Sequence, residues 1–158
     1  MGIRGDILEI GLYHGRSTAV LAAGLDEGER LTVCDPFQTG DVYVVNPPTA
    51  QGLRHNVTRV NPTLKSDARE VIAPYSTELV LDDDRLFRFI HIDGSHEMPD
   101  VLIDLNLAVE HLLPGGIIVC DDYDHPDWPG VTNAIKVFLA KRPELVEIAD
   151  LNRHAGSG

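Results

Sequence analysis

Four short apolar runs each carry an acidic residue at or near their end: "DILEIG" at 6–11, "LTVCDP" at 31–36, "FRFIHIDG" at 87–94 and "GIIVCDD" at 116–122. Their Val, Ile and Leu residues are continuous rather than alternating, which is the pattern of strands buried on both faces in a parallel sheet covered by helices. Helical spacing fills the intervals. "STAVLAAGL" at 17–25 predicts a helix capped by Ser17 or Thr18 and stopping near Gly24. "PDVLIDLNLAVEHLL" at 99–113 predicts a second, with Pro99 in its first turn and "PGG" at 114–116 as its stop, and "VTNAIKVFLAKR" at 131–142 a third. "ELVEIAD" at 144–150 reads as a further strand. The stretch 37–63 is the least regular; a loop through Pro47 and Pro48 leads to a helix over about 50–60, followed by a short strand near "TLKS" and a helix at "DAREVIAP". Alternation of strand and helix specifies an α/β, doubly wound, mostly parallel sheet with helices on both faces. Ligands of such sheets bind outside the carboxyl ends of the strands, so every acidic strand end points toward one cleft.

The 158 residues suffice for one core. Thirteen Lys and Arg against 25 Asp and Glu give a formal net charge of -12, which repels phosphate backbones and anionic lipid and argues against nucleic acid or a membrane surface as partner. No apolar stretch approaches the roughly 20 residues that span a bilayer. No signal peptide is visible at the N-terminus, and a cytoplasmic location is expected. Cys34 and Cys120, each inside an apolar run, read as small core hydrophobes.

The first strand end, "EIGLYHGRST", brings Glu9, Gly11 and Gly15 to a strand-to-helix turn, where glycine lets a backbone approach a ligand closely. The G-x-x-x-G spacing is neither the G-x-G-x-x-G of a dinucleotide pyrophosphate site nor a Walker loop. A ligand without a pyrophosphate fits better. Asp35 ends the second strand 24 residues after Gly11, about where an acid receives the ribose hydroxyls of an adenosine moiety.

Through "EIGLYHGRST", "VCDPF", "LKSDAREVI", "FIHIDGSHEMPDVLIDL", "LLPGGIIVCDDY" and "PGVTNAIKVFL" the chain resembles class I S-adenosylmethionine-dependent methyltransferases, and within them the small-molecule O-methyltransferases related to macrocin O-methyltransferase. The pairing of "IDGSHE" with "GGIIVCDDY" is the specific part. The resemblance implies a Rossmann-like methyltransferase core over 1–150, with 151–158 as a tail. It implies that Glu9, Gly11 and Gly15 line the methionine end of the cofactor, that Ser17 sits at the helix start near its carboxylate, and that Asp93 is a further cofactor-binding residue. It further implies that Asp35 holds the ribose and that Ser66 and Asp67 flank the adenine.

If 87–92 and 116–121 are neighbouring strands, about 5 Å apart, Asp93 and the pair Asp121–Asp122 emerge together at the cleft. Three carboxylates that close repel one another, and a hard divalent cation, with Mg²⁺ first and Mn²⁺ or Ca²⁺ behind it, relieves the repulsion. The plainer alternative is that Asp93 caps the next helix and Asp121–Asp122 solvates a loop. With a cation in place, His96 has a role: an imidazole takes the proton of an acceptor hydroxyl that the cation has acidified. The resemblance implies the same assignment, with Asp93, Asp121 and Asp122 as metal ligands and His96 as general base. Glu97 reads as a first-turn helix charge and His91 as a satisfied core or interface histidine.

The expected reaction is metal-assisted transfer of the methyl of S-adenosylmethionine to a hydroxyl of a small molecule, a sugar or a catechol-like diol. Relatives carry helices before the first motif and a last strand after the position of "ELVEIAD", so this core reads as shortened at both ends. An open sheet edge favours self-association, and a homo-oligomer is expected. The rival readings are a non-catalytic S-adenosylmethionine-binding domain and a metal-dependent hydrolase using the Asp/His cluster; an NAD-dependent dehydrogenase is disfavoured by the glycine spacing.

Overall fold

A computed structural model of the chain describes residues 2–12, 15–36, 69–72 and 75–148, together with Gln51, His55 and Arg59. Five parallel strands form one sheet in the order β3-β2-β1-β4-β5. They are β1 (Asp6–Ile10), β2 (Leu31–Cys34), β3 (Arg69–Ile72), β4 (Phe87–Ile92) and β5 (Leu112–Cys120). Helix α1 (Arg16–Ala23) follows β1, α2 (Met98–Glu110) joins β4 to β5, and α3 (Pro129–Leu139) follows β5. The strand order reverses beside β1: β2 lies on one flank and β4 on the other, which puts the ligand crevice between the carboxyl ends of β1 and β4.

Strand alternation divides the apolar residues between two layers. Leu8, Ile10, Ile90 and Ile92 point toward α2 and α3 and join Phe87, Val101, Leu105, Ala108, Val131, Ala134 and Phe138 in the larger core. Ile7, Leu31 and Val33 point the other way, onto Ala22 of α1, with Leu12 and Phe89. The same alternation assigns the functional residues: Glu9, His91 and Asp93 lie on the α1 side of their strands. In register beside them, Val119 pairs with His91, and the Asp121 N–H donates to the Ile92 carbonyl at 3.0 Å.

Several local expectations change. The segment "DAREVIAP" holds β3 over Arg69–Ile72, paired residue for residue with β2, rather than a helix; "REVI" places two β-branched residues where a strand partner is available. Helix α2 ends at Glu110, short of "PGG", because the His111 carbonyl is already taken by the Phe87 N–H at 2.8 Å. Pro114 and Gly115 fall instead within β5, where the β4–β5 register shifts between Phe87 and Phe89. Residues 144–148 form no strand, and Val146 and Ile148 stand exposed. Of the helix expected over 50–60, Gln51, His55 and Arg59 are described, all helical and exposed, and "TLKS" lies outside the described residues. Among the described residues no helix is long and apolar enough to cross a membrane.

Candidate active site

The turn from β1 to α1 is built on two glycines in the left-handed region, Gly11 at φ 81° and Gly15 at φ 72°. A Cβ on Gly11 would stand 2.0 Å from the Asp93 carbonyl oxygen, so Gly11 is what allows the ends of β1 and β4 to touch. Gly15 is the N-cap of α1, and neither Ser17 nor Thr18 caps it. Thr18 is drawn elsewhere: its hydroxyl donates to the Glu9 carboxylate, both side chains being fully buried. Ser17 is half-buried in the first helical turn. Asp35, at the end of β2, accepts the Leu12 N–H at 2.9 Å and so ties the turn to the neighbouring strand. Ser66 and Asp67, expected at the adenine, and Tyr13, His14 and Phe37 lie outside the described residues.

Glu9 sits lower than a residue lining the cleft. It has no solvent exposure, one oxygen engages Thr18, and the other faces His91 Nδ1 at 3.3 Å. Burial works to lower the pKa of His91, yet the hydrogen bond and charge of Glu9, with Asp93 and Asp121 beyond, hold it above the ordinary histidine value.

The carboxylates meet at the ends of β4 and β5. Asp93 is pushed up to about 6, first by burial and next by the charge of Asp121, with Asp122 and Glu9 adding and His91 opposing. Two donor sets share it. One oxygen of Asp93, one of Asp122 and a ring nitrogen of His96 lie within 4.8 Å of one another, as do donor atoms of His91, Asp93 and Asp121. Oxygen-rich sets with an imidazole at the rim match a divalent cation such as Mg²⁺ or Mn²⁺. Asp124, His125 and Asp127 enter neither set.

His96 is held from three directions. Its Nε2 lies 2.9 Å from Asp122 Oδ2. The Trp128 indole stacks on its ring, centroids 4.1 Å apart and planes 16° from parallel. Its carbonyl is packed against Gly130 at the start of α3, where a Cβ would approach to 2.4 Å. On the other side of the loop Ser95 donates its hydroxyl to Asp100 at 2.8 Å and accepts the Glu97 N–H at 3.2 Å, and Glu97 is the N-cap residue of α2. Asp122 and Asp124 adopt positive φ, 57° and 59°, a conformation uncommon outside glycine that recurs at functional turns. The Thr132 hydroxyl accepts the Asp124 N–H at 2.8 Å and braces that turn from α3.

Beneath the cluster lies Asp104 of α2, fully buried, with neither oxygen in a hydrogen bond of normal length among the described residues. Burial pushes it from 3.8 to about 6, with the Ser76 hydroxyl, too far for a full hydrogen bond, partly opposing and Asp100 adding. Cys34 and Cys120 sit in the strands as expected; burial raises their thiols to about 11 and about 12, which keeps them protonated and unreactive. Asp104, the Thr18–Glu9 contact and the His96–Trp128 stack are the features that sequence patterning does not reveal. Trp128 follows Pro126 in a loop, and its only signal is an aromatic residue just ahead of "PG".

A family model described as a methyltransferase domain matches residues 8–123. Among solved structures, the TDP-rhamnose 3'-O-methyltransferase CalS11, an enzyme in calicheamicin biosynthesis, aligns with a TM-score of 0.75 at 19% identity, covering 97% of this chain and 70% of its own. The O-methyltransferase TomG from Streptomyces achromogenes, involved in tomaymycin synthesis and solved with SAM, aligns at 0.61 and 19% identity over 89% of this chain and 62% of its own. An O-methyltransferase from Bacillus cereus solved with SAH gives 0.57 and 21%, over 85% of this chain and 62% of its own. At these identities the likeness is one of fold. No curated protein matches the chain. The family match spans most of the sheet and both halves of the cleft, and the chain belongs to the class I S-adenosylmethionine-dependent methyltransferases.

Proposed function

We propose that the protein transfers the methyl group of S-adenosylmethionine to a hydroxyl of a small molecule, a sugar or a catechol-like diol, with His96 as general base and a divalent cation at Asp93, Asp121 and Asp122. The observation that carries this reading is the convergence of Asp93, His96 and Asp122 donor atoms within 4.8 Å at the strand ends. The names of CalS11 and TomG, both O-methyltransferases, support a hydroxyl acceptor.

The cofactor supplies a sulfonium methyl. Gly11 and Gly15 leave room for its methionine end, the start of α1 near Ser17 faces its carboxylate, Asp35 receives the ribose, and Ser66 with Asp67 borders the adenine. A cation at the three aspartates would lower the pKa of an acceptor hydroxyl and hold a vicinal oxygen beside it. His96 takes the hydroxyl proton, and Asp122 balances the imidazolium that results. Trp128 keeps the ring from rotating away. Positioning of nucleophile and methyl in line contributes most of the acceleration.

Calorimetric titration of S-adenosylmethionine, with Mg²⁺ and with chelator, comes first, followed by a panel of nucleotide-sugar and catechol acceptors. His96→Ala is expected to lower kcat by about 10²–10⁴-fold with cofactor affinity unchanged. Absence of cofactor binding in both buffers, or an unaltered rate in His96→Ala, would overturn the reading.

A further inference from the structure

His91 takes no part in the methyl transfer proposed, yet its surroundings are unusual. It is an imidazole in the middle of β4 with its side chain only 12% exposed, backed by a fully buried carboxylate, Glu9, 3.3 Å from Nδ1. Register carries it under Asp93, two residues ahead on the same strand, and beside Val119, two residues before Asp121. All four side chains, Glu9, His91, Asp93 and Asp121, thus share the α1 side of the sheet. Donor atoms of the last three lie within 4.8 Å of one another.

We infer that His91 is a metal ligand, completing with Asp93 and Asp121 a cation site whose imidazole is oriented by Glu9. The inference rests on the cation reading above but puts His91 in place of Asp122 as the third ligand, which gives that cation a nitrogen donor. Histidines that bind metals characteristically give their second ring N–H to a carboxylate, which fixes the tautomer and makes the ligating nitrogen more basic. Glu9 supplies that carboxylate, buried with Thr18 and His91 as its two partners. Thr18 holds the other Glu9 oxygen, so the carboxylate cannot swing toward the cation itself.

The division of labour that follows differs from an all-carboxylate site. A cation drawn toward His91 lies on the α1 side, beside the switch point where the methionine end of the cofactor enters. Asp122 then keeps its contact with His96, and the base remains paired while the cation is bound. An imidazole among the ligands also changes the preferred ion. Oxygen-only sets suit Mg²⁺ and Ca²⁺, whereas a nitrogen donor shifts selectivity toward Mn²⁺ and the later first-row metals.

The test is Mn²⁺ binding to the full chain and to His91→Gln, His96→Gln and Asp93→Asn, followed by electron spin echo spectroscopy for a directly bound nitrogen and by calorimetry for affinity. Glutamine retains a donor for Glu9, and circular dichroism confirms that the variants fold. Glu9→Gln provides a second route to the same ligand should His91→Gln fail to fold: it leaves the imidazole present but removes the carboxylate behind it. The expected result is a nitrogen signal in the parent that disappears in His91→Gln and persists in His96→Gln. Mn²⁺ affinity should fall at least tenfold in His91→Gln and by about 10–100-fold in Glu9→Gln, with Mg²⁺ affinity less affected in both. A nitrogen signal that survives in His91→Gln, or that His96→Gln removes, overturns the inference while leaving the carboxylate cation site standing. Loss of Mn²⁺ binding in Asp93→Asn with no change in His91→Gln does the same. No Mn²⁺ binding by the parent overturns both.

Discussion

Asp104 shows how one residue can work against the fold that contains it. It is fully buried with no hydrogen bond of normal length among the described residues, and burial, only partly opposed by the Ser76 hydroxyl, raises its carboxyl to about 6. The folded chain therefore holds this proton more tightly than the unfolded chain, so the contribution of Asp104 is fully present below about pH 4 and is lost as pH rises through about 6. Asp104→Asn, which keeps the shape and removes the charge, is expected to be more stable than the parent at pH 7.5, with the difference vanishing toward pH 4. Urea unfolding at the two pH values checks this, and equal midpoints at pH 7.5 would contradict it. The sequence offers no hint of such a residue: Asp104 occupies an ordinary polar slot in "LIDLNL", and only the packing of α2 under Gly94 makes it a buried charge, its Oδ2 lying 3.4 Å from where a Gly94 Cβ would be.

At the scale of elements, the site depends on how closely α3 approaches the loop after β4. Gly130 lies in the first turn of α3, and the oxygen it would strike, that of His96, is backbone rather than a side chain that could move aside. Gly130→Ala should cost about 1–3 kcal/mol of stability through overpacking and should disturb the Trp128 stack. Because Trp128 is the only tryptophan in the chain, its fluorescence reports that stack directly. An unchanged emission spectrum and unfolding midpoint would show that α3 accommodates the methyl. Strands β1, β2, β4 and β5 were legible because runs such as "ILEI" and "IIVC" have no other stable place than a covered parallel sheet. β3 was not, since "REVI" is too short to separate helix from strand by period. What decides its state is the pairing with β2.

For the molecule as a whole, the strand order gathers the site from segments far apart in sequence: Gly11, Asp35, Asp93 and Asp121 arrive at one edge because β2, β1, β4 and β5 are neighbours in that order. Repulsion of Asp93 by Asp121 and Asp122 is a standing cost to the folded state. Addition of Mn²⁺ or Mg²⁺ should therefore raise Tm, with the folded state gaining about 2.7 kcal/mol at a free concentration one hundred times Kd. Asp93→Asn should weaken that response. Differential scanning calorimetry with chelator as reference measures both, and a metal-independent Tm in the parent would contradict the cation reading.

The acidic strand ends, the glycine turn and the "IDGSHE" and "CDDY" segments were readable in one dimension because strand period and strand-end position follow from local composition. These residues determined the fold class, the methyltransferase family and the list of acids at the cleft. Which imidazole meets which acid was a matter of three dimensions. His91 paired with Glu9 depends on parallel register and on the face each strand residue presents, and His96 paired with Asp122 depends on how the loops after β4 and β5 turn toward each other. A shift of one residue would turn His91 away from Glu9 and onto the opposite layer.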